Sequence, residues 1–329
     1  MKETGSFIEL ELPVGREWYK GDTDIARLNT GRAAIWHAFR LTGAQTIWIP
    51  FYQCESVREF LLRKGCTVKY YHQDRFFTPL GLDPSDDEAV LLVNYFGVMS
   101  SARMAELARP YKRVVIDNCQ AFFCPPLAGA YNVYSARKFI GVADGSYVIG
   151  PDAQRFADEY PQGYSSDTAS FLLSRIEYGC EGKAYEARSL NERRLDTEDV
   201  MKMSALTRAM LDGADYERNR HKRQDNFEFA CHLFDELNQL QPGRYRDADT
   251  VPMVYPLVVE DAGLLGRLLA AKHFQGHWWA YLAKELPKES FEHWLSSYMI
   301  PITIDQRYSP EDILHIHAVV TKKKDNDGI

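Results

Sequence analysis

The sequence predicts an α/β protein: a mainly parallel, mixed sheet with helices on both faces, followed by a smaller C-terminal α+β lobe. Two observations carry the first part. Helical and strand patterns take turns between residues 31 and 150, the order that parallel strands joined by crossover helices produce. Within that run "AVLLVNYF" (89–96) is almost unbroken in its apolarity, as a strand buried on both faces requires. A third observation sets the C-terminal lobe apart. Residues 152–240 read as helical and charged, and strand character returns only at "VPMVYPLVV" (251–259).

The elements follow in order. "GRAAIWHAFRL" (31–41) is helical and "TIWIP" (46–50) is strand-like. "ESVREFLLRKG" (55–65) is an amphipathic helix that stops at a glycine, and "TVKYYH" (67–72) is the next strand. After the apolar strand at 89–96, "SARMAELARPY" (101–111) is a helix and "RVVID" (113–117) a strand. "AYNVYS" (130–135) and "GSYVIG" (145–150) are two more strands. A long helix is expected within "DYERNRHKRQDNFEFACHLFDELNQL" (215–240), and a soft boundary between lobes falls near residues 215–245. "AGLLGRLLAAKH" (262–273) is a helix of the second lobe, and the tail "VTKKKDNDGI" is expected to fray.

Composition narrows the function. The 329 residues are 45% hydrophobic, enough for a large core, and the net charge of −7 argues against a broad nucleic-acid interface. No apolar run approaches the ~20 residues that span a bilayer. The start "MKETGSFIEL" carries no apolar signal segment. The six cysteines form no C-x-x-C pair, which fits a reduced, cytoplasmic protein better than a disulfide scaffold.

Three short stretches carry chemistry. In an open parallel sheet, ligands sit at the carboxyl ends of strands. Asp117 closes the strand "RVVID" and reads either as an anion facing a buried cation or as a helix cap. Thr30, Gly31 and Arg32 lie where "NTGRAAI" enters a helix. Free N–H groups and the helix dipole favour a phosphate there, although a plain threonine cap reads the same way. Lys138 follows a strand, shares its loop with Ser135 and precedes the turn "GVADG". A lysine in a partly desolvated pocket becomes a nucleophile towards carbonyls, whereas a hairpin lysine is merely solvated. Phosphate loop, strand-end acid and sheltered lysine, in that order, are what pyridoxal 5'-phosphate requires.

These residues resemble the fold-type I pyridoxal-phosphate enzymes and, within them, the DegT/DnrJ/EryC1/StrS sugar aminotransferases. "NTGRAAI" is similar to that family's Ser-Gly-Thr-x-Ala segment, and "IPFYQCESVREFLLRKGCTVKYYHQD" runs alongside its Pro-x-Tyr stretch without a gap. "VNYFG" (93–97) stands where the family has His-x-x-Gly, with Asn94 in place of the histidine. "VVIDNCQAF" is similar to its Asp-x-x-Gln segment and "YSARKFIGVADGSYVIG" to its Ser-x-x-Lys segment. The resemblance implies Asp117 against the pyridine nitrogen, Gln120 near the ring's phenolic oxygen, Ser135 on the phosphate and Lys138 as the Schiff-base lysine. Cys54 occupies the place of the ring-stacking aromatic, with Tyr52 or Phe51 as substitutes. Ser146 replaces the second glycine after the lysine, and the family's Asn-x-Arg segment has no clean counterpart.

The resemblance further implies a three-layer α/β/α PLP-dependent transferase fold (aspartate aminotransferase-like). A large domain would span residues 1–225, with a helical extension from about 152, and a small α+β domain residues 226–329. It implies an aminotransferase that moves an amino group from a glutamate-like donor to a keto-sugar or similar ketone. It also implies a homodimer with no nucleic-acid or membrane partner. A dehydratase, lyase or aldolase of the same fold would use the same lysine and aspartate, and a ligand-binding protein that keeps the cofactor is the alternative from a different class. Outside these stretches, Arg220 and Arg223 could reach a substrate carboxylate or phosphate. His315 and His317 are two apart on a helix and do not share a face, so a metal is not expected there.

Overall fold

The protein is described by a computed structural model covering residues 4–21, 24–274 and 276–322. Of the tail expected to fray, residues 320–329, Val320 and Thr321 belong to the last helix, and residues 323–329 lie outside the described residues.

An eight-stranded mixed sheet forms the centre. Its strands are β1 (Ile25–Leu28), β2 (Thr46–Pro50), β3 (Thr67–Gln73), β4 (Pro79–Leu80), β5 (Ala89–Val93), β6 (Val114–Asn118), β7 (Tyr131–Ser135) and β8 (Ser146–Ile149). Their spatial order is β1-β8-β7-β6-β5-β2-β3-β4. β7, β6, β5, β2 and β3 run parallel, while β8 and β4 run against their neighbours. The antiparallel β8 returns directly after the lysine loop and needs no crossover helix.

The apolar run of β5 has a plain cause. Ala89 and Leu91 face one side with the helices α1 (Gly31–Thr42) and α2 (Glu55–Arg63). Val90 and Leu92 face the other side with α3 (Ser101–Ala108). Both faces are covered, so neither set of alternate residues can be polar. The apolar segment is shorter than the sequence suggests. The strand ends at Val93 because Phe96 adopts φ 59, which turns the chain into a 3₁₀ turn at Tyr95–Gly97.

The second half supplies α4 (Ser170–Tyr178), α5 (Lys183–Thr197), α6 (Ala205–Asp212) and α7 (Tyr216–Phe234). Then come β9 (Val254–Val258), α8 (Leu264–Ala270), α9 (Leu282–Glu285), α10 (Phe291–Tyr298), β10 (Met299–Thr303) and α11 (Pro310–Thr321). β9 and β10 make a separate two-stranded antiparallel sheet. α7 is continuous across residue 225. Tyr255, Leu257, Ile300 and Ile313 belong to the same buried cluster as Val90, Leu92 and Ile116 of the main sheet. The C-terminal elements and the sheet therefore share one core on that face. Among the described residues, no helix is long and apolar enough to cross a membrane.

Candidate active site

The site is built where β6 and β7 end and α1 begins. Thr30 caps α1 and its hydroxyl accepts from Ala33 N at 3.3 Å. Gly31 opens the helix in a space that no side chain fits: a Cβ there would lie 2.8 Å from Cys119 Sγ and 4.0 Å from Ser135 Cβ. The glycine thus brings the α1 N-terminus onto the ends of β6 and β7. The turn behind it is tied by Ser146, whose hydroxyl donates to Thr30 O at 2.8 Å and Leu28 O at 3.2 Å.

Asp117 is buried at the end of β6. Its Oδ1 accepts from Cys119 N at 2.9 Å and its Oδ2 from Gln53 Nε2 at 3.1 Å. Gln53 was not anticipated. It sits in the loop after β2, also buried, where its own Oε1 accepts from Cys54 N at 2.6 Å and its carbonyl from Tyr281 Oη at 2.7 Å. The only sequence signal for it was a polar residue among "PFYQC" at a strand end.

Cys119 marks where the parts meet. Burial, with the Asp117 charge second, pushes its thiol well above the ordinary range, and the Lys138 ammonium acts on it in the opposite sense. The α1 N-terminus meets the Cys119 sulfur directly, and Asp117 accepts from the Cys119 backbone N–H. Ser135 is buried at the end of β7, and the turn Ala136–Lys138 follows directly. Lys138 itself is exposed in the single chain. The shelter expected for it is absent because that turn carries residue 138 outward, while its neighbour Arg137 is drawn in to pair with Glu192 of α5. Arg32 lies beside the α1 N-terminus, held by Asp196 of α5 at 2.8 Å.

The structure brings Thr30, Gly31, Arg32, Asp117 and Ser135 to one end of the sheet, with Lys138 closing the turn after Ser135; Tyr52, Asn94 and Gln120 make contacts of their own. Tyr52 is fully buried, its ring edge-on to Trp279 at 4.4 Å, so it cannot lie over a ligand in this cleft. The chain turns Tyr52 under the sheet as it leaves β2, while Phe51 stacks on Tyr70 at 5.2 Å. Asn94 closes its own turn, donating to Met99 O at 3.1 Å and accepting from Met99 N at 3.3 Å. Gln120 accepts from Phe96 N at 2.7 Å and so stabilises the left-handed Phe96 turn. Its amide nitrogen donates to no described residue.

Arg223 does not reach a substrate. It is buried, donates to Met253 O at 2.9 Å and to Gln306 Oε1 at 3.1 Å, and burial pulls its pKa down to about 10. Arg220 pairs with Glu217 at 3.0 Å over the Trp18 ring. His317 packs on Phe234 and His315 on His273. Among the described residues, no group of three or more His, Cys, Asp or Glu side chains is arranged to hold a metal.

No family model matches this sequence, and no curated protein sequence matches it. Solved structures do match its fold. A DegT DnrJ EryC1 StrS aminotransferase from Brucella abortus superposes with a TM-score of 0.61 at 14% identity, over 90% of this chain and 84% of that one. The sugar aminotransferase CalS13 from Micromonospora echinospora gives 0.61 at 16% identity, over 90% and 86%. GDP-4-keto-6-deoxy-D-mannose-3-dehydratase from E. coli, solved with hydrated PLP, gives 0.61 at 13% identity, over 90% and 87%. An eight-stranded mixed sheet, its helices and the strand-end site thus give this chain the fold of the DegT/DnrJ/EryC1/StrS aminotransferases.

Proposed function

We propose that this chain is a pyridoxal-phosphate enzyme of the DegT/DnrJ/EryC1/StrS type that transfers an amino group from a glutamate-like donor to a keto-sugar or similar ketone. The observation that carries the reading is the meeting of the α1 N-terminus and the buried strand-end carboxylate Asp117 at Cys119, with Ser135 ending the neighbouring strand and Lys138 closing the turn that follows it. The residues present fit the cofactor. The backbone N–H groups opening α1, with Thr30, Arg32 and Ser135, suit a phosphate. Asp117, fixed by two donors, suits a protonated ring nitrogen, and the free amide nitrogen of Gln120 suits a ring oxygen. Lys138 has no ion-pair partner among the described residues and suits the aldehyde.

Bound pyridoxal phosphate supplies an electron sink for the carbanion left when the donor loses its α-proton. The chain's own residues do the rest. Asp117 would hold a proton on the ring nitrogen; its hydrogen bonds from Gln53 and Cys119 fix the direction of both its oxygens. Lys138 Nζ would take the proton lost by the donor's α-carbon and, in the second half-reaction, supply one to the former carbonyl carbon of the acceptor. The Arg32 guanidinium adds charge beside the phosphate cup.

A homodimer is part of the proposal. α4 and α5 expose Leu173, Ile176, Tyr178, Tyr185 and Leu190, more apolar surface than a lone helical pair ordinarily leaves in water. A second copy seated there would also cover the open side of the Lys138 cleft. Six free cysteines fit a reducing, cytoplasmic setting.

The purified protein with pyridoxal phosphate should absorb in the visible, and borohydride should fix the cofactor to Lys138. Glutamate should then bleach that absorbance with release of 2-oxoglutarate. A second reading, dehydration of a keto-sugar, is favoured by the equal likeness to the E. coli dehydratase. Loss of water from the sugar without amine transfer would select it, and a Lys138→Ala protein that still fixes the cofactor would overturn both readings.

A further inference from the structure

Lys138 is exposed, yet both residues beside it are gripped by distant parts of the chain. On the N-terminal side, Arg137 pairs with Glu192 of α5. The guanidinium is drawn into the protein, where burial lowers its pKa against the opposing pull of Glu192. One residue before Glu192, the fully buried Asn191 donates to Ala143 O at 2.9 Å. The same helix thus holds the lysine loop at both ends.

On the C-terminal side, Gln306 donates its amide to Phe139 O at 2.8 Å. Its Oε1 accepts from Arg223 Nε at 3.1 Å, and the Arg223 guanidinium lies 4.5 Å over the Phe139 ring. The loop that carries Gln306 is itself fixed. Asn226, three residues after Arg223 on α7, donates to Ile304 O at 3.1 Å, Asp305 O at 3.3 Å and Tyr308 O at 3.1 Å. Two buried polar residues on one face of α7 therefore set a loop whose glutamine holds the carbonyl next to the lysine.

We propose that Glu192 and Gln306 are positioning residues that bracket Lys138. They fix the backbone on each side of it, so that the long, solvated side chain starts from one direction and its amine meets the carbonyl beside Asp117. A lysine stem has four rotatable bonds, and in the open only its root can be constrained by the protein. The arrangement makes the amine responsive to two remote elements: the α4–α5 pair through Arg137, and the loop of residues 304–308 through Phe139. The inference rests on the cofactor reading above, but the bracket itself exists without any ligand.

The test uses two conservative variants of the full-length holoprotein. Gln306→Glu keeps an acceptor for Arg223 and sets a carboxylate oxygen, which cannot donate, against Phe139 O. Glu192→Gln keeps an acceptor for Arg137 and removes the charge. Glu289→Gln, exposed in the loop before α10, is the control. The readouts are the pH midpoint of the visible absorbance and the dissociation rate of pyridoxal phosphate. Each bracket variant should move the midpoint by about half a unit or more and release the cofactor at least threefold faster. Glu192→Asp should recover most of the loss, and the control should match the parent. Unchanged midpoints and release rates in both variants would overturn the proposal. Should the parent take no pyridoxal phosphate on Lys138, the cofactor reading fails separately. The bracket is then read from amide hydrogen exchange of residues 136–144 in the ligand-free protein, where at least fivefold faster exchange in both variants upholds it and unaltered exchange rejects it.

Discussion

Ser146 donates a hydrogen bond of 2.8 Å to the carbonyl of Thr30, the residue that caps α1. Through it the antiparallel strand that follows the lysine loop is sewn to the helix N-terminus that would receive a phosphate. Gly145 donates to Asn29 O at 2.7 Å alongside it. Gly145 has φ 115, and a Cβ there would lie 2.9 Å from Thr207 Cγ2, so only the second of the two adjacent positions accommodates a side chain. The hydroxyl of Ser146 has two carbonyls within reach, Thr30 O and Leu28 O.

Gly31→Ala should destabilise the fold by about 1–3 kcal/mol, because the new methyl is driven into the Cys119 sulfur. Cys119→Ala should relieve part of that cost in the double variant. Thermal or urea unfolding of the four proteins in the cycle checks the expectation. Strict additivity would mean that Gly31 and Cys119 do not touch.

Asp117→Asn should lower kcat/KM by about 10²–10³, the usual loss when one preorganised electrostatic partner is removed. Gln53→Ala removes one hydrogen bond to the same carboxylate. At about 1.5–3 kcal/mol for a bond to a charged group, it should fall between the parent and Asp117→Asn. Steady-state kinetics on the best amino donor gives the order, and a Gln53→Ala protein as active as the parent would remove Gln53 from the site.

Leu91→Ala should cost about 2–5 kcal/mol without altering cofactor affinity, since the side chain is fully buried in the α1–α2 face of the sheet. Equilibrium denaturation measures the cost. A loss below 1 kcal/mol would mean that this face repacks freely.

Stability should decline as pH falls below about 6.5, and His37 should supply part of the decline. Burial holds its pKa below the ordinary 6.5. Its Nε2 donates to Ala153 O at 2.8 Å, so in the neutral ring Nδ1 accepts from Tyr160 Oη at 2.8 Å. Below pH 6.5 the unfolded chain binds a proton that the folded chain refuses, so this contribution is complete above 6.5. It then drops by at most about 1.4 kcal/mol per pH unit down to the folded pKa. His37→Gln should flatten the urea-midpoint profile between pH 7 and 5. An identical slope in the variant would assign the decline to other groups.

Much of the sheet was legible from residues 31–150 because crossover helices and doubly buried strands leave strong periodic signals. "TIWIP" matches β2 to the residue, Asp117 is the last residue but one of β6, and Lys138 closes the short turn that follows β7. What escaped has physical causes. β1 is four residues with an arginine inside it, and β10 carries a proline paired with another proline, Pro301 with Pro256. Both lack the signals that mark a strand. Phe51, Tyr52 and Gln53 are consecutive, and only the turn geometry decides which one faces the cleft; the aromatic went into the core and the amide to Asp117. The exposure of Lys138 depends on the direction of a three-residue turn, which periodicity does not encode.

The shared core between the main sheet and β9–β10 has a practical consequence for anyone dissecting this molecule. A recombinant fragment cut near residue 225 would sever α7 and strip the cover from Val90, Leu92 and Ile116. Such a piece would present a greasy slab to solvent and precipitate. Reuse of the cleft in another protein would have to graft onto the intact polypeptide rather than borrow its first two-thirds.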